Sequence, residues 1–165
     1  MATLDNLTGS EPPILHGIEV PLERGRQSER LIYGFPELIE WMASKLPHLE
    51  AGRLKAADTP LEQLDYALYR WISGEPVAYG RMFKDLMPIR DEVWELKTAD
   101  LRIFGWMYRP RIFIGVFGDY ADLYKGRKIS ASYATAISRV KDARNKLDID
   151  PPKIASGNFD ELVCV

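Results

Sequence analysis

The chain has 165 residues, a formal net charge of −2, 46% hydrophobic residues and 28% charged residues, which is the composition of a globular domain long enough to bury one core. No apolar run approaches the roughly 18 residues of a bilayer span, and the first 13 residues lack the basic and then apolar pattern of a signal peptide. One cysteine, Cys164, and two distant histidines exclude an internal disulfide and a usual zinc site, so we expect a cytoplasmic protein without metal or cofactor.

The first 29 residues are rich in Pro, Gly, Ser and charge. We expect a loosely ordered arm there, with one edge strand near residues 14–20. A brief β-like run follows at residues 31–33. Apolar residues then recur every three or four positions from Phe35 to Leu46, which predicts a helix that ends before Pro47.

A second helix is predicted to begin at Thr59-Pro60-Leu61-Glu62. Threonine is a good N-cap, proline fits the first helical position, and the acid complements the helix dipole. Gly74 ends this helix, and Pro76 is predicted to begin a third, shorter one that runs toward Met87. Three aromatic residues of the second helix could stack nucleic-acid bases, although at helical spacing such residues more often belong to a core. They are Tyr66, Tyr69 and Trp71.

Three strands are predicted next, at residues 93–96, 101–107 and 112–117. Their connections are short enough for hairpins, so the strands should form an antiparallel meander. A further helix is predicted over residues 130–147, with apolar residues on one side and Lys and Arg on the other. The tail after Lys153 is acidic, and we expect it to be partly mobile.

The net charge hides an uneven distribution. Residues 1–80 carry 7 basic and 12 acidic residues (−5), residues 81–146 carry 14 and 8 (+6), and residues 147–165 carry 1 and 4 (−3). A basic segment in an acidic protein favours an anionic partner, such as RNA, at one face. The alternative is that these cations are simply the solvated sides of strands and a helix.

The cations around the predicted meander are the candidate functional residues. Lys97 and Arg102 lie on strands joined by a tight turn, so they become cross-strand neighbours if the register places them on one face. Converging cations could hold a phosphodiester and stabilise the charge that builds on it. Tyr133 could stack a base or take part in proton transfer. The other members of the set are Lys84, Lys125, Arg127 and Lys128.

Three segments of this chain form a distinctive run: Phe83-Lys84-Asp85-Leu86, Val93-Trp94-Glu95-Leu96-Lys97 and Leu101-Arg102-Ile103-Phe104. Together they resemble the core of the phage-derived HigB-like branch of the RelE toxin superfamily. The likeness extends over about residues 30–146. It implies a RelE-like α+β domain at residues 30–150, in which N-terminal helices pack on a small antiparallel sheet and a C-terminal helix is added. Residues 1–29 would then be an N-terminal arm and residues 151–165 a C-terminal tail.

Members of this family are toxins of toxin–antitoxin pairs, and most cleave mRNA on the ribosome without a metal. In that reaction the RNA 2′-hydroxyl attacks the adjacent phosphate while Lys, Arg and Tyr side chains supply charge and protons. The resemblance therefore implies a metal-independent endoribonuclease. Its implied partners are mRNA, the ribosome and a cognate antitoxin.

The resemblance also assigns roles by position. Arg102 matches the phosphate-binding arginine of the second meander strand, and Lys97 matches a strand lysine that supplies charge or transfers a proton. Tyr133 resembles the tyrosine that follows the final basic segment. Glu95 stands where the ribonuclease branch can place a second lysine. The cations that resemble the basic segment are Lys125, Arg127 and Lys128.

Two other functions stay open. A non-catalytic RelE-like protein of phage origin could inhibit a host factor. It would be recognised by geometry, since Lys97 and Arg102 on opposite faces, or an Arg102 held by Glu95 or Asp100, leave no phosphate site. A structural phage component would instead show a large exposed apolar patch and ordered self-assembly.

Overall fold

The structure, a computed structural model, describes residues 1–126 and 129–164. Within these residues the central element is one six-stranded sheet with the spatial order β1-β2-β6-β5-β4-β3. Only the β2–β6 pair is parallel; the other neighbours in this sheet are antiparallel. The strands are β1 (His16–Gly17), β2 (Leu31–Gly34), β3 (Phe83–Asp85), β4 (Trp94–Lys97), β5 (Leu101–Arg109) and β6 (Ile112–Tyr120). The predicted three-strand meander is confirmed as β4, β5 and β6, and the fold class is α+β.

Helices pack on both faces of this sheet. They are α1 (Leu4–Gly9), α2 (Pro36–Glu40), α3 (Pro60–Ser73), α4 (Ile129–Lys146) and α5 (Phe159–Val163). Helix α2 continues into a π-helical turn at Trp41–Lys45 and a 3-10 turn at Leu46–His48. These elements cover the first predicted helix, and the last of them extends past its predicted end before Pro47. None of the helices in the described part of the chain has the length and apolar character that a membrane span needs.

The helix starts follow the predicted chemistry. At α3, the Thr59 hydroxyl accepts a hydrogen bond from the backbone N–H of Glu62, and the Glu62 side chain accepts one from the backbone N–H of Thr59. This reciprocal capping box satisfies donors that the first helical turn leaves unpaired. Gly74 ends the helix in the left-handed conformation, with φ of 81°, which glycine adopts without steric cost. The predicted second helix is therefore confirmed at both ends.

Two apolar layers hold the helices to the sheet. On one face, buried residues of α2 and α3 pack against strand residues such as Leu96, Ile103 and Phe113. On the other face, α4 packs through Ile137 and Val140 against Phe104, Trp106 and their neighbours. We call these the α3 face and the α4 face. The candidate cations lie at one end of the α4 face.

The predicted helix between Pro76 and Met87 is wrong, because this segment contains strand β3. Phe83 is completely buried, and its ring lies 4.8 Å from that of Trp71, 5.3 Å from that of Trp94 and 5.2 Å from that of Phe113. Backbone pairing with β4 completes the placement. Contacts with residues distant in the sequence therefore outweigh the local helix signal of the proline.

Both ends of the chain are more ordered than expected. The N-terminal segment forms α1 and buries Leu7 and Leu15, and the C-terminal segment forms α5 and buries Leu162 and Val163 in the α3-face core. Arg30 is buried beside this end, where its Nε donates to the Val163 carbonyl at 2.6 Å. Burial and this hydrogen bond attach the C-terminal helix α5 to the core.

Candidate functional site

The β4–β5 hairpin places the candidate cations on one face of the sheet. Lys97 lies directly opposite Arg102, and Glu95 lies between Lys84 on β3 and Phe104 on β5. Because side chains alternate along a strand, Glu95 and Lys97 point to the same side, and their cross-strand partners point there with them. The condition that Lys97 and Arg102 share a face is met.

A buried carboxylate joins these side chains. Glu95 is completely buried, and its oxygens lie 3.8 Å from Lys84 Nζ, 3.9 Å from Lys97 Nζ and 3.7 Å from Arg102 Nε. The Tyr133 hydroxyl, from the first half of α4, donates a hydrogen bond to Glu95 Oε2 at 3.1 Å. We call these five residues the Glu95 cluster. They come from β3, β4, β5 and α4, so only the folded chain assembles them.

Burial shifts the titration of three members of the cluster. It raises the pKa of Glu95, while the positive charges of Arg102, Lys97 and Lys84 and the Tyr133 hydrogen bond act in the opposite direction. Burial lowers the pKa of Lys97, and the Glu95 charge opposes that change. Burial also raises the pKa of Tyr133, with a further contribution from the negative charge of Glu95.

Arg102 is held in place by the protein itself. The residue is only 8% exposed, and its Nη1 donates to the backbone carbonyls of Thr98 at 2.7 Å and Leu101 at 2.8 Å. With Nε 3.7 Å from Glu95, the guanidinium braces the hairpin. An Arg102 held by Glu95 is the geometry expected of a RelE-like scaffold without a phosphate site, and this contact meets that condition.

The lysines are less enclosed. The side chains of Lys84, Lys97 and Lys125 are 34%, 18% and 32% exposed. Lys97 donates to the Gly80 carbonyl at 2.8 Å, and Lys125 lies 3.3 Å from Asp122. These ammonium groups can therefore meet an anion from solvent, and Arg102 is more enclosed than any of them.

Tyr133 packs as a half-buried aromatic residue at the edge of the α4 core. Its ring lies 6.1 Å from that of Phe104 and 5.2 Å from that of Tyr124. Tyr124 donates from its hydroxyl to Asp119 at 2.8 Å, and burial raises the pKa of Tyr124. The Tyr133 hydroxyl faces Glu95, so its position suits proton transfer or orientation of the carboxylate better than base stacking.

Two residues predicted for the site, Arg127 and Lys128, lie outside the described residues. The other five are described, and the structure brings Lys84, Lys97, Arg102 and Tyr133 around Glu95, with Lys125 within electrostatic range of Lys97. Sequence reasoning missed the central position of Glu95. The signal for it was the alternation in Trp94-Glu95-Leu96-Lys97, which puts two ionisable residues on one face of a strand bounded by apolar positions.

Two open grooves include residues of the cluster. The first, the α4 groove, has a volume of about 750 Å³ and is lined by Lys84 and Tyr133 together with residues of α4 such as Ile137. The second, the α3 groove, has a volume of about 850 Å³ and is lined by Lys97 and Arg102 together with residues of α3. Within residues 1–126 and 129–164, no group of three or more His, Cys, Asp or Glu side chains is placed to hold a metal ion.

Comparison with known proteins found no match for this chain among protein-family models, curated proteins or solved structures.

Proposed function

We propose that this protein is a RelE/HigB-like toxin that cleaves mRNA without a metal and uses the Glu95 cluster as its RNA site. The supporting observation is that Lys97 and Arg102 lie directly opposite each other and that Lys84 and Tyr133 surround the same carboxylate. Three cations around one carboxylate leave an excess of positive charge that suits a phosphodiester. In this proposal the protein acts in the cytoplasm, on mRNA at the ribosome, and a cognate antitoxin restrains it.

The geometry favours different roles for the cations. The solvent-facing Lys97 would contact the scissile phosphate, with Lys84 and Lys125 beside it. Arg102 would act as a positioning residue, because its Nη1 donates to two hairpin carbonyls and the residue is only 8% exposed. Glu95 is fully buried, so it would hold the cations in place without touching RNA.

The chemistry follows from these positions. The RNA 2′-oxygen would form a bond to phosphorus as it loses its proton, and the bond from phosphorus to the 5′-oxygen would break as that oxygen gains one. Lys97 supports such proton movement because burial lowers its pKa toward the working range of a general acid or base. Its positive charge would also stabilise the phosphorane-like transition state.

The decisive experiment compares the wild type with Lys97→Met, which removes the charge and keeps much of the side-chain volume. Expression of the wild type should arrest growth and deplete mRNA, and the purified protein should cleave RNA in the presence of EDTA. Lys97→Met should lower the cleavage rate by about 100-fold or more. Arg102→Ala should also abolish toxicity, because the hairpin loses its brace. Lys55→Met, on a surface loop, is the matched control and should behave as the wild type. Equal cleavage by wild type and Lys97→Met, or no cleavage by either, contradicts the proposal.

A second candidate function is supported by the Arg102–Glu95 contact. A non-catalytic RelE-like protein of phage origin that inhibits a host factor needs no free arginine at this position, and here Arg102 Nε lies 3.7 Å from Glu95 while its Nη1 donates to two hairpin carbonyls. This candidate predicts growth arrest by the wild type without RNA cleavage. It also predicts that Lys97→Met arrests growth as strongly as the wild type.

A further inference from the structure

The α3 groove has both polar and apolar lining residues, and most of them lie outside the Glu95 cluster. Helix α3 supplies one wall through residues spaced three and four apart, which therefore share one helix face. They are Gln63, Tyr66, Ala67 and Arg70. The opposite wall is the segment before β3 together with the tip of the β4–β5 hairpin.

Basic residues outnumber acidic ones in the lining of the groove, although most of these cations also pair with an acid: Arg70 with Glu75, Lys97 and Arg102 with Glu95, and Lys125 with Asp122. Among the described residues that line it, one is acidic, Asp58, and five are basic. The basic residues are Arg70, Arg81, Lys97, Arg102 and Lys125. This lining suits an anion, and its apolar residues, which include Val77 and Met82, suit an anion with a flat, partly apolar body.

One exposed aromatic residue lies in this groove. Tyr66 is 58% exposed, and Arg70 holds it by donating from Nη1 to its hydroxyl at 2.9 Å with the guanidinium 5.6 Å from the ring centre. The other two aromatic residues singled out on α3 are occupied elsewhere. Tyr69 shares hydrogen bonds with Glu23 and Arg26, and Trp71 is buried in the core. Tyr66 is thus an ordered ring beside a row of cations, which is how proteins stack unpaired bases.

We infer that the α3 groove binds a segment of single-stranded RNA, with Tyr66 stacking on a base and Arg81 contacting the backbone next to Lys97. This inference rests on the proposed function and extends it, because it gives the path of the RNA on one side of the scissile phosphate. Single-stranded RNA fits the groove because its base faces are accessible for stacking, whereas those of a duplex are not. A groove of about 850 Å³ holds only a short stretch of strand.

The test measures affinity without chemistry. A short fluorescent 2′-O-methyl RNA, which lacks the attacking hydroxyl, is titrated with the full chain and its anisotropy is followed. Tyr66→Ala should raise Kd by roughly 5- to 100-fold, the range for loss of one stacked base. Tyr66→Phe should stay close to the wild type, because it keeps the ring. The matched control is Tyr79→Ala, since Tyr79 is 57% exposed but contacts Asp85 and Phe159 and is absent from the groove lining. Tyr79→Ala should leave Kd unchanged.

A second variant tests the backbone contact. Arg81→Ala should make log Kd less dependent on log salt concentration by about 0.7, the value for one contact to a single-stranded phosphate. Arg24→Ala, in the N-terminal segment and outside the groove lining, is the control and should leave the salt dependence as it is.

The outcomes separate this inference from the proposed function. If the wild type cleaves RNA and Tyr66→Ala changes neither the affinity nor the cleavage pattern, the inference fails and the proposed function stands. If Tyr66→Ala weakens binding while the wild type cleaves nothing, RNA binding by the α3 groove is supported and the catalytic proposal fails. An acidic peptide could compete as strongly as RNA of equal charge, with no effect of Tyr66→Ala on affinity. This result would identify a surface that binds anions without specificity, and it would overturn the inference.

Discussion

The two faces of the central sheet differ in the side chains that they bury. On the α3 face most strand residues are apolar, and rings such as those of Phe83 and Phe113 pack against Trp71. On the α4 face, Trp106 and Tyr108 form an apolar half, but the hairpin end contains the Glu95 cluster. The same strands therefore carry a conventional core on one side and a buried ionic network on the other.

This difference implies that the charged end of the α4 face contributes less to stability than an apolar core would. Removing a carboxylate and its cations from water costs free energy that their attraction only partly returns, and apolar residues of the same volume often do as well or better. The α3 face needs no such group to fold. Under the proposed function the charged end of the α4 face serves binding rather than stability, and the predictions below test that contrast.

The largest effect is expected on the α3 face. Phe83→Ala removes a completely buried ring that contacts three other aromatic rings, so it should lower the free energy of unfolding by about 3–5 kcal/mol, measured by urea denaturation. Tyr79→Ala, four residues earlier and mostly exposed, is the control and should cost less than about 1 kcal/mol. A small loss for Phe83→Ala would mean that β3 does not belong to the core.

The next effect concerns the Glu95 cluster. Glu95→Ala leaves its cations without a counterion and should cost about 2–3 kcal/mol, less than a fully enclosed pair because Lys84 and Lys97 keep access to water. The double variant Glu95→Met/Arg102→Met should recover to within about 1 kcal/mol of the wild type, since an apolar pair fills the same space.

Function should not recover with stability. The double variant should be folded by urea denaturation and inactive in RNA cleavage. If Glu95→Met/Arg102→Met stays as unstable as Glu95→Ala, the network is a structural element of the fold and the contrast between the two faces is lost.

Much of the fold could be predicted from local pattern. The apolar runs of β4, β5 and β6 and the short connections between them predicted the meander, and capping residues predicted α3. Strand β3 could not be found this way, because three residues at a sheet edge carry too little periodicity and depend on pairing with β4. The helices α1 and α5 were missed for a similar reason. Each has only five or six residues and is stabilised by docking on the core.

The candidate site was predictable only in part. The tight turn indicated that Lys97 and Arg102 would be neighbours if the register put them on one face, and the structure places them opposite each other. The arrangement around Glu95 was not predictable, because Lys84 reaches it from β3 and Tyr133 from α4. Local sequence gives the side of a strand on which a residue lies, and it does not give the element that covers that side.

A smaller effect is expected in the pH dependence of stability. Burial raises the pKa of Glu95 above its ordinary value of 4.5, so the folded state favours the protonated carboxyl. The stability that this group contributes is complete below that ordinary value and is lost as pH rises through the raised pKa. The free energy of unfolding of the wild type minus that of Glu95→Gln should therefore fall as pH rises above about 4.5. In the Lys97→Met background the fall should be larger and should extend to higher pH, because one cation that opposes the shift is gone. A difference that grows with pH would show that the cations outweigh burial.

The smallest effect on stability should come from Lys125, a partly exposed cation within electrostatic range of Lys97. Lys125→Ala breaks a partly exposed pair with Asp122 and should lower the free energy of unfolding by less than about 1 kcal/mol. It should nevertheless weaken binding of the 2′-O-methyl RNA, because Lys125 lines the α3 groove. Lys141→Ala breaks a pair of similar exposure with Asp91 and lines the α4 groove, so it should cost the same stability and leave that affinity unchanged. Equal affinities for the two variants would place the RNA outside the α3 groove. A stability loss of several kcal/mol for Lys125→Ala would instead make Lys125 part of the structural network around Glu95.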